Sequence, residues 1–343
     1  MKVLITGVAG FLGTHVAEYF KKQGWEVIGI DNLTDYELKR TKFNVNTSRK
    51  HNLDFLEKLG VEFDRWDCRT VNATDFRRME IDFIIHCAAQ PAMTIAIEDP
   101  KYDADDNIMS CVNMLNIAKE LNVPFVNCSS IHIYGNSGNK DLVELDTRFA
   151  TTGAREINEK TPILNGDLTP LHVSKYATEL YTQSFAEMYG MKTASFRFTG
   201  MYGERQFGGM DHGWIANFAI RTIMGREITI FGTDKQVRDI LYAEDAARAF
   251  ECWFNGGCPL GIYNLGGGFK HSVSLQECLY KLRVLSDLEQ DIQIEPTRKG
   301  DLWYFVCDYK KANEEFKWEP RIDPNEGLTR ICKWIEENKG LFK

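Results

Sequence analysis

Gly7, Gly10 and Gly13 stand three residues apart, directly after the apolar run Val3-Leu4-Ile5-Thr6. A glycine triplet between a strand and a helix suits one chemistry. The first glycine allows a tight turn, the second lets the backbone approach a pyrophosphate, and the third lets helix pack on strand. The helix that follows, read as Phe11 to Lys22, offers unpaired N–H groups and a partial positive charge to the phosphates. Gly7, Gly10, Phe11, Leu12 and Gly13 are therefore candidate dinucleotide ligands. Asp31 ends the second apolar run. A carboxylate there accepts hydrogen bonds from both adenosine-ribose hydroxyls and repels a 2′-phosphate. Its neighbour is Asn32, with no Arg beside it, so the expected cofactor is NAD rather than NADP. Asp67 and Cys68, after a third strand, are placed to meet the adenine edge. Ala88, Ala89 and Gln90 follow His86-Cys87, small where a fourth strand must pass the cofactor.

The elements that position these residues alternate. Strands are expected at residues 3–6, 26–31, 61–66, 82–86 and 124–128, and helices at 11–22 and 104–121. The strands are apolar throughout rather than alternating, as in parallel strands covered on both faces. Such strand–helix alternation implies an α/β fold, a Rossmann-like doubly wound parallel sheet. Asp35 to Lys50 is polar and reads as an insertion after the second strand. The glycine-rich stretch Gly200 to Gly213 reads as a loop. Beyond it come a helix at 214–224, short strands at 227–231 and 261–265, and helices starting near Ser274 and Asn325. Residues 1–200 are expected to form the cofactor-binding domain, with returning segments near 236–265. Residues 201–343 are expected to form mostly a smaller C-terminal substrate-binding lobe.

Of the 343 residues, 43% are hydrophobic and 26% charged, which excludes intrinsic disorder. The formal net charge of −8 repels phosphate backbones, so nucleic-acid binding is not expected. No apolar run approaches the ~18 residues of a membrane span, and no signal peptide is evident. The nine cysteines include no C-x-x-C pair, and the seven histidines show no ligand spacing. Free thiols in a reducing cytoplasm and the absence of a metal site are the expectations.

Taken together, several motifs resemble the extended short-chain dehydrogenase/reductase family of nucleotide-sugar epimerases and dehydratases. They are the glycine triplet, Asp31-Asn32-Leu33, His86-Cys87-Ala88-Ala89-Gln90, Asn107, Ser129-Ser130 before Tyr134-Gly135, and Tyr202-Gly203. Val237-Arg238-Asp239, Tyr263-Asn264-Leu265-Gly266, Arg298-Lys299-Gly300-Asp301 and Trp318-Glu319-Pro320 continue the match over nearly the whole chain. Gln90 to Thr94, Met201 to Phe207, Asp211 to Trp214 and Lys235 to Asp239 resemble the subgroup of CDP-tyvelose (CDP-paratose) 2-epimerases. The resemblance implies that Asn107 and Lys175 contact the cofactor, and that Met93, Ser130 and Arg205 contact the substrate. It also implies that Arg238 and Arg298 clamp a nucleotide diphosphate, which guanidinium forks suit at any working pH.

One departure bears on catalysis. The family carries Tyr-x-x-x-Lys on a helix, the phenol taking the hydroxyl proton as hydride leaves. Here Lys175 is present, but the position four earlier is Leu171. Two histidines are candidates to replace the phenol: His132, two residues after Ser130, and His172, next to Leu171. A histidine base would make activity rise through a pKa of ~6–7. Sugar dehydratases carry Asp-Glu where this chain has Ile131-His132, so dehydration and decarboxylation are disfavoured. The expected activity is NAD-dependent epimerisation of a nucleotide-diphosphate sugar through a transient keto-sugar, on a CDP-hexose by resemblance. A nucleotide-sugar dehydrogenase or a non-catalytic binding homologue is the alternative. By the same resemblance the chain pairs into a homodimer or homotetramer through helices 104–121 and 171–188.

Overall fold

The computed structural model describes residues 1–41, 43, 45–298 and 300–343. Lys42 and Asn44 of the polar insertion, and Lys299 of the Arg298 motif, lie outside the described residues. The chain opens β1 (Lys2–Thr6), α1 (Phe11–Lys22), β2 (Glu26–Ile30), α2 (Tyr36–Arg40), α3 (Val45–Lys58) and β3 (Glu62–Asp64). It continues α4 (Ala73–Phe76), β4 (Phe83–His86), α5 (Met93–Glu98), α6 (Pro100–Asp103), a π-helical stretch Ala104–Met109, α7 (Ser110–Leu121) and β5 (Phe125–Ser130). Then follow β6 (Leu142–Glu144), β7 (Phe149–Thr151), α8 (Pro170–Tyr189), β8 (Thr193–Phe198), β9 (Gly200–Tyr202), α9 (Trp214–Ile223), β10 (Ile228–Phe231) and β11 (Val237–Tyr242). The last elements are α10 (Ala243–Asn255), β12 (Gly261–Leu265), β13 (Ser272–Ser274), α11 (Leu275–Ser286), β14 (Ile292–Glu295), β15 (Tyr304–Phe305), α12 (Lys310–Phe316) and α13 (Pro324–Glu337).

Seven parallel strands form the central sheet in the order β12-β8-β5-β4-β1-β2-β3. The order reverses beside β1, leaving a crevice at the strands' C-terminal ends, where ligands of open α/β sheets sit. Both faces are covered. On one, Val16 and Phe20 of α1 join Phe250 and Trp253 of α10 against Phe83 and Phe196. On the other, Cys111, Met114 and Leu115 of α7 pack on Ile84 and Phe125. Each such buried aliphatic or phenyl group stabilises the fold by roughly 1.5–3 kcal/mol.

Several expectations need correction. The returning segment is only β12; β11 pairs with β9, β13 and β15 in a separate sheet. Part of the presumed loop at 200–213 is therefore strand β9, recruited by Ile240 to Tyr242. The polar stretch after β2 is largely helical. Leu53 and Leu56 of α3 point into the core of the first sheet face. The helix expected at 104–121 begins at Pro100 and passes through the π-helical stretch. On α7, Leu115, Ile117 and Ala118 are buried among the core residues of this face, so these apolar residues of the helix expected at 104–121 are not available for pairing.

Candidate active site

The loop from β1 to α1 fits a dinucleotide by geometry. Gly7 has φ +65, and a Cβ there would lie 2.7 Å from the Ala88 backbone. A Cβ on Gly13 would meet the Gly7 carbonyl at 2.2 Å, so only glycine lets α1 sit this close to β1. Helix α1 starts from Gly10 with no side-chain cap and no acidic residue in its first turn. Its first N–H groups are thus left for an anion. Asp31 is buried at the end of β2 and accepts from the Ala9 N–H (3.1 Å) and the Leu33 N–H (2.7 Å). Burial raises its pKa, and the charge of Arg49 opposes that rise. The expectation that no Arg stands by Asp31 therefore fails in three dimensions, because α3 delivers Arg49. Asn32 donates to Asp67 (3.3 Å), and Arg69 pairs with Asp67 (2.6 Å), pulling its pKa to about 2.

Gln90 and Asn107 do not line the cavity. Asn107 Nδ2 donates to the Gln90 carbonyl (3.1 Å), to Asp103 (2.9 Å) and to Ser174 Oγ (3.1 Å), and Gln90 donates from its backbone back to Asn107 (2.9 Å). The π-helical stretch aims Asn107 into this network, which ties the β4 loop to α8. Both residues, expected as direct ligands, thus support the wall that carries Lys175. The sulfur of Cys68 is buried, and its carbonyl accepts from Asn113 (2.7 Å). Ala88 donates its N–H to Thr6 (3.1 Å), and Ala89 lines the cavity.

One cavity of about 470 Å³ joins the glycine loop to the second lobe. Gly7, Gly10, Phe11, Leu12 and Gly13 line one end. Ser130, His132, Leu171 and Lys175 line it too, and Met93, Arg238 and Arg298 stand on the wall toward the second lobe. Among the described residues, six of the buried polar atoms without a hydrogen-bond partner are Asn52 Oδ1, His132 Nδ1, Thr199 Oγ1, Gln206 Oε1, His212 Nδ1 and Arg298 Nε. All six residues line this cavity. Buried polar groups left unpaired cost about 1–3 kcal/mol each, so their concentration here marks a place that a polar ligand completes.

The end of β5 is held by a buried network. Glu179 accepts from Ser129 (2.5 Å) and forms a two-pronged pair with Arg197 (2.9 and 2.7 Å), which also donates to the Tyr134 hydroxyl (2.8 Å). Ser130 follows, its Oγ accepting from the His132 N–H (3.2 Å). Lys175 donates from Nζ to the Cys128 carbonyl (3.1 Å), and burial lowers its pKa. Leu171, 2% exposed, stands one helical turn before it.

The histidines do not behave as expected. Burial, with His172, Arg238 and Arg298 adding to it, pushes His132 down to about 3. A base titrating at 6–7 is therefore not found there. His172 accepts from the Thr169 N–H (3.1 Å) at Nδ1, capping α8, and stacks on His132 with centroids 5.9 Å apart. It is a helix-cap residue and does not line the cavity. Arg205 also differs from expectation. Its guanidinium is held by Glu18 (2.5 Å), His15 (3.2 Å) and Thr14 (3.3 Å) and lies 3.9 Å over the Phe55 ring. It locks α1 and α3 together at the cavity edge.

Arg238 donates to the carbonyls of Val237 (2.8 Å) and Leu302. Burial and the charge of Arg298 lower it to about 10, so it stays charged at neutral pH. Arg298 lies 4.2 Å over the Phe231 ring and donates to the Met210 carbonyl (3.2 Å) and Asp301 (3.4 Å). Sequence reasoning missed Ser48, Arg49 and Asn52 of α3, which line the cavity, Asn52 donating to the Ala9 carbonyl (2.9 Å). The spacing of Leu53, Leu56 and Leu59 was the available signal for that helix.

The profile of the NAD dependent epimerase/dehydratase family matches residues 3–266. The chain belongs to this family. A CDP-paratose 2-epimerase of Salmonella typhi is 30% identical, the match covering 97% of this chain and 99% of that one. A UDP-glucuronate 4-epimerase of Thermodesulfobacterium geofontis is 29% identical over 99% and 98% of the two chains. The crystal structure of Thermus thermophilus UDP-glucose 4-epimerase in complex with NAD is 28% identical, with a TM-score of 0.80 over 98% of this chain and all of that one. Among the described residues no cluster of His, Cys, Asp and Glu is arranged to hold a metal, and no helix is long and apolar enough to cross a membrane.

Proposed function

We propose that the chain is an NAD-dependent nucleotide-sugar epimerase, with a CDP-hexose inverted at C2 as the favoured substrate. The observation that carries this reading is the single cavity in which the α1 N-terminus and the Arg238–Arg298 pair face one space. An anion at α1 and a diphosphate at the arginines place two phosphorylated ligands end to end. NAD, when bound, supplies a hydride acceptor and donor. The chain's own residues bind and orient. The α1 N–H groups hold the cofactor diphosphate, Asp31 takes the adenosine-ribose hydroxyls, and Arg238 and Arg298 take the nucleotide diphosphate. Ser130 Oγ, at the end of β5, orients a sugar hydroxyl, and Met93 with Gly300 narrows the sugar end. A family member of 30% identity that acts as a CDP-paratose 2-epimerase supports the CDP and C2 assignment.

On this reading residues 1–200 with β12 carry the cofactor, and most of residues 201–343 carry the substrate. A homodimer or homotetramer fits the exposed Val173, Leu180, Tyr181, Met188 and Tyr189 of α8. A cytoplasmic location fits the nine unpaired cysteines. Leu171 keeps a second reading in view, a dehydrogenase or a binder of nucleotide sugars that does not epimerise. Calorimetric titration with CDP-, UDP- and GDP-hexoses, followed by product analysis and NADH absorbance, tests both. Binding with an epimeric product supports the first reading. Binding with no product, or with net NADH and a keto-sugar, supports the second. No binding of any nucleotide sugar refutes both.

A further inference from the structure

We propose that Lys175 Nζ itself takes the hydroxyl proton in the hydride step, at the end of the cavity that Leu171, Ser130 and Lys175 line together. This rests on the hydride chemistry of the proposed function and concerns the residue that serves it.

The cavity's ionisable groups leave few candidates. Arg49, Arg205, Arg238 and Arg298 carry guanidinium groups, which are donors with no acceptor for a proton. Asp211 accepts from Arg40 (2.8 Å) and Thr94 (2.5 Å), and Asp301 accepts from the Arg298 backbone (3.1 Å), so both carboxylates are committed around the arginine end. His212 lies on the same segment as Met210, whose carbonyl Arg298 holds. Cys128 donates its thiol to Cys87 (3.8 Å), and burial pushes the Cys87 thiol up, so Cys87 stays protonated. His132 holds a proton too weakly to store one at neutral pH.

Lys175 is placed differently. It lies four residues after Leu171 on α8, on the same helical face, and both line the cavity. Nζ is anchored on the Cys128 carbonyl (3.1 Å), two residues before Ser130 on β5, so the amine and the hydroxyl serve the same strand end. The groups that face it are Cys128 of β5, Cys87 and His86 at the end of β4, Cys111 of α7, Asp103 of α6 and Asp106 of the π-helical stretch. Among the described residues neither carboxylate forms an ion pair with it, while Asp103 is occupied by Gln90 and Asn107 (2.9 Å each). Burial therefore dominates and favours the neutral amine. In the forward step the C–H electron pair leaves with its hydrogen to the nicotinamide dinucleotide, the one oxidant needed. The O–H bond breaks, its proton joins the Nζ lone pair, and the carbon–oxygen double bond forms. The return step reverses each transfer, Nζ–H re-protonating the oxygen.

The test uses the full chain loaded with NAD, a panel of CDP- and UDP-hexoses, and the variants Lys175→Arg, Lys175→Met, His132→Asn and Leu171→Tyr/Lys175→Arg. Arginine keeps the charge and a donor but does not give up a proton. Lys175→Arg is expected to bind NAD within ~10-fold of the wild type by calorimetry, yet to lose ~10²–10⁴ in turnover. The double variant is expected to recover at least ~10-fold of that loss, because a phenol then supplies the base. NMR of ¹³C-lysine-labelled, NAD-loaded protein is expected to show one lysine titrating below the ordinary range, absent in Lys175→Met, with the pH–rate profile breaking at the same pH. The proposal is overturned if Lys175→Arg turns over within a few-fold of the wild type, or if the loss falls on His132→Asn instead. It is also overturned if no lysine titrates early, or if the wild type binds both ligands without turnover. If no nucleotide sugar binds at all, it is the proposed function that fails, and this inference with it.

Discussion

Replacing Arg238 with alanine tests the placement of the nucleotide diphosphate. The side chain is confined between the Val237 and Leu302 carbonyls, and Arg298 stands close enough to depress its pKa. Asp301, paired with Arg298 (3.4 Å), only partly offsets the repulsion between the two guanidinium groups, which an arriving anion relieves. A charge-assisted hydrogen bond contributes about 1.5–3 kcal/mol, so Arg238→Ala should weaken binding of CDP or UDP about 10- to 150-fold in Kd. Arg238→Lys keeps the charge but loses the fork, and should fall between the two. NAD affinity should change less than about 3-fold, since the α1 N-terminus is built from other residues. Calorimetry with NAD and with each nucleoside diphosphate, on protein shown folded by circular dichroism, separates these effects. Loss of NAD binding with diphosphate binding intact would move Arg238 to the cofactor. Unchanged affinity for both would remove it from the site.

Three further outcomes are expected. The wild type should prefer NAD to NADP in direct binding, and Asp31→Ala should narrow the preference by about 10-fold, because Arg49 then faces the 2′ position without its carboxylate; equal affinity of the wild type for both dinucleotides would refute the assignment. Asp239 is fully buried with Oδ1 unpartnered, and burial raises its pKa to about 7. Folding therefore favours its protonated form, so its contribution is present below the unfolded value near 4 and is lost as pH rises to about 7. The Tm of Asp239→Asn relative to wild type should thus climb between pH 5 and 7 and level off above about 8, whereas a constant difference would contradict the shift. On α8, Leu180→Arg should shift the light-scattering mass toward the monomer, since Leu180 is 49% exposed and lies on the apolar surface with Val173 and Tyr181; a wild-type monomer at micromolar concentration would refute the pairing.

Local rules wrote much of this protein into its sequence. The glycine triplet, the apolar parallel strands and the strand–helix alternation depend on backbone sterics and burial within a few residues of each position. They were legible, and β1, α1, β2, β4 and β5 lie within a residue or two of where they were read. Asp31 could be named from its place at the end of the strand that follows the glycine helix, whereas Lys175, Arg238 and Arg298 were legible only through the motifs that resemble the family's. Other properties arise only when distant segments meet. Arg49 reaches Asp31 because α3 folds over the glycine loop. Arg205 stands at the cavity edge but is committed to Glu18, because the segment after β9 brings it against α1. Gln90 and Asn107 bond each other, and His172 closes the end of its own helix, so none of the three lines the cavity. His132 loses basicity because it is buried near two arginines 106 and 166 residues further along the chain. Desolvation and electrostatic coupling are sums over neighbours in space, and a sequence fixes those neighbours only through the fold.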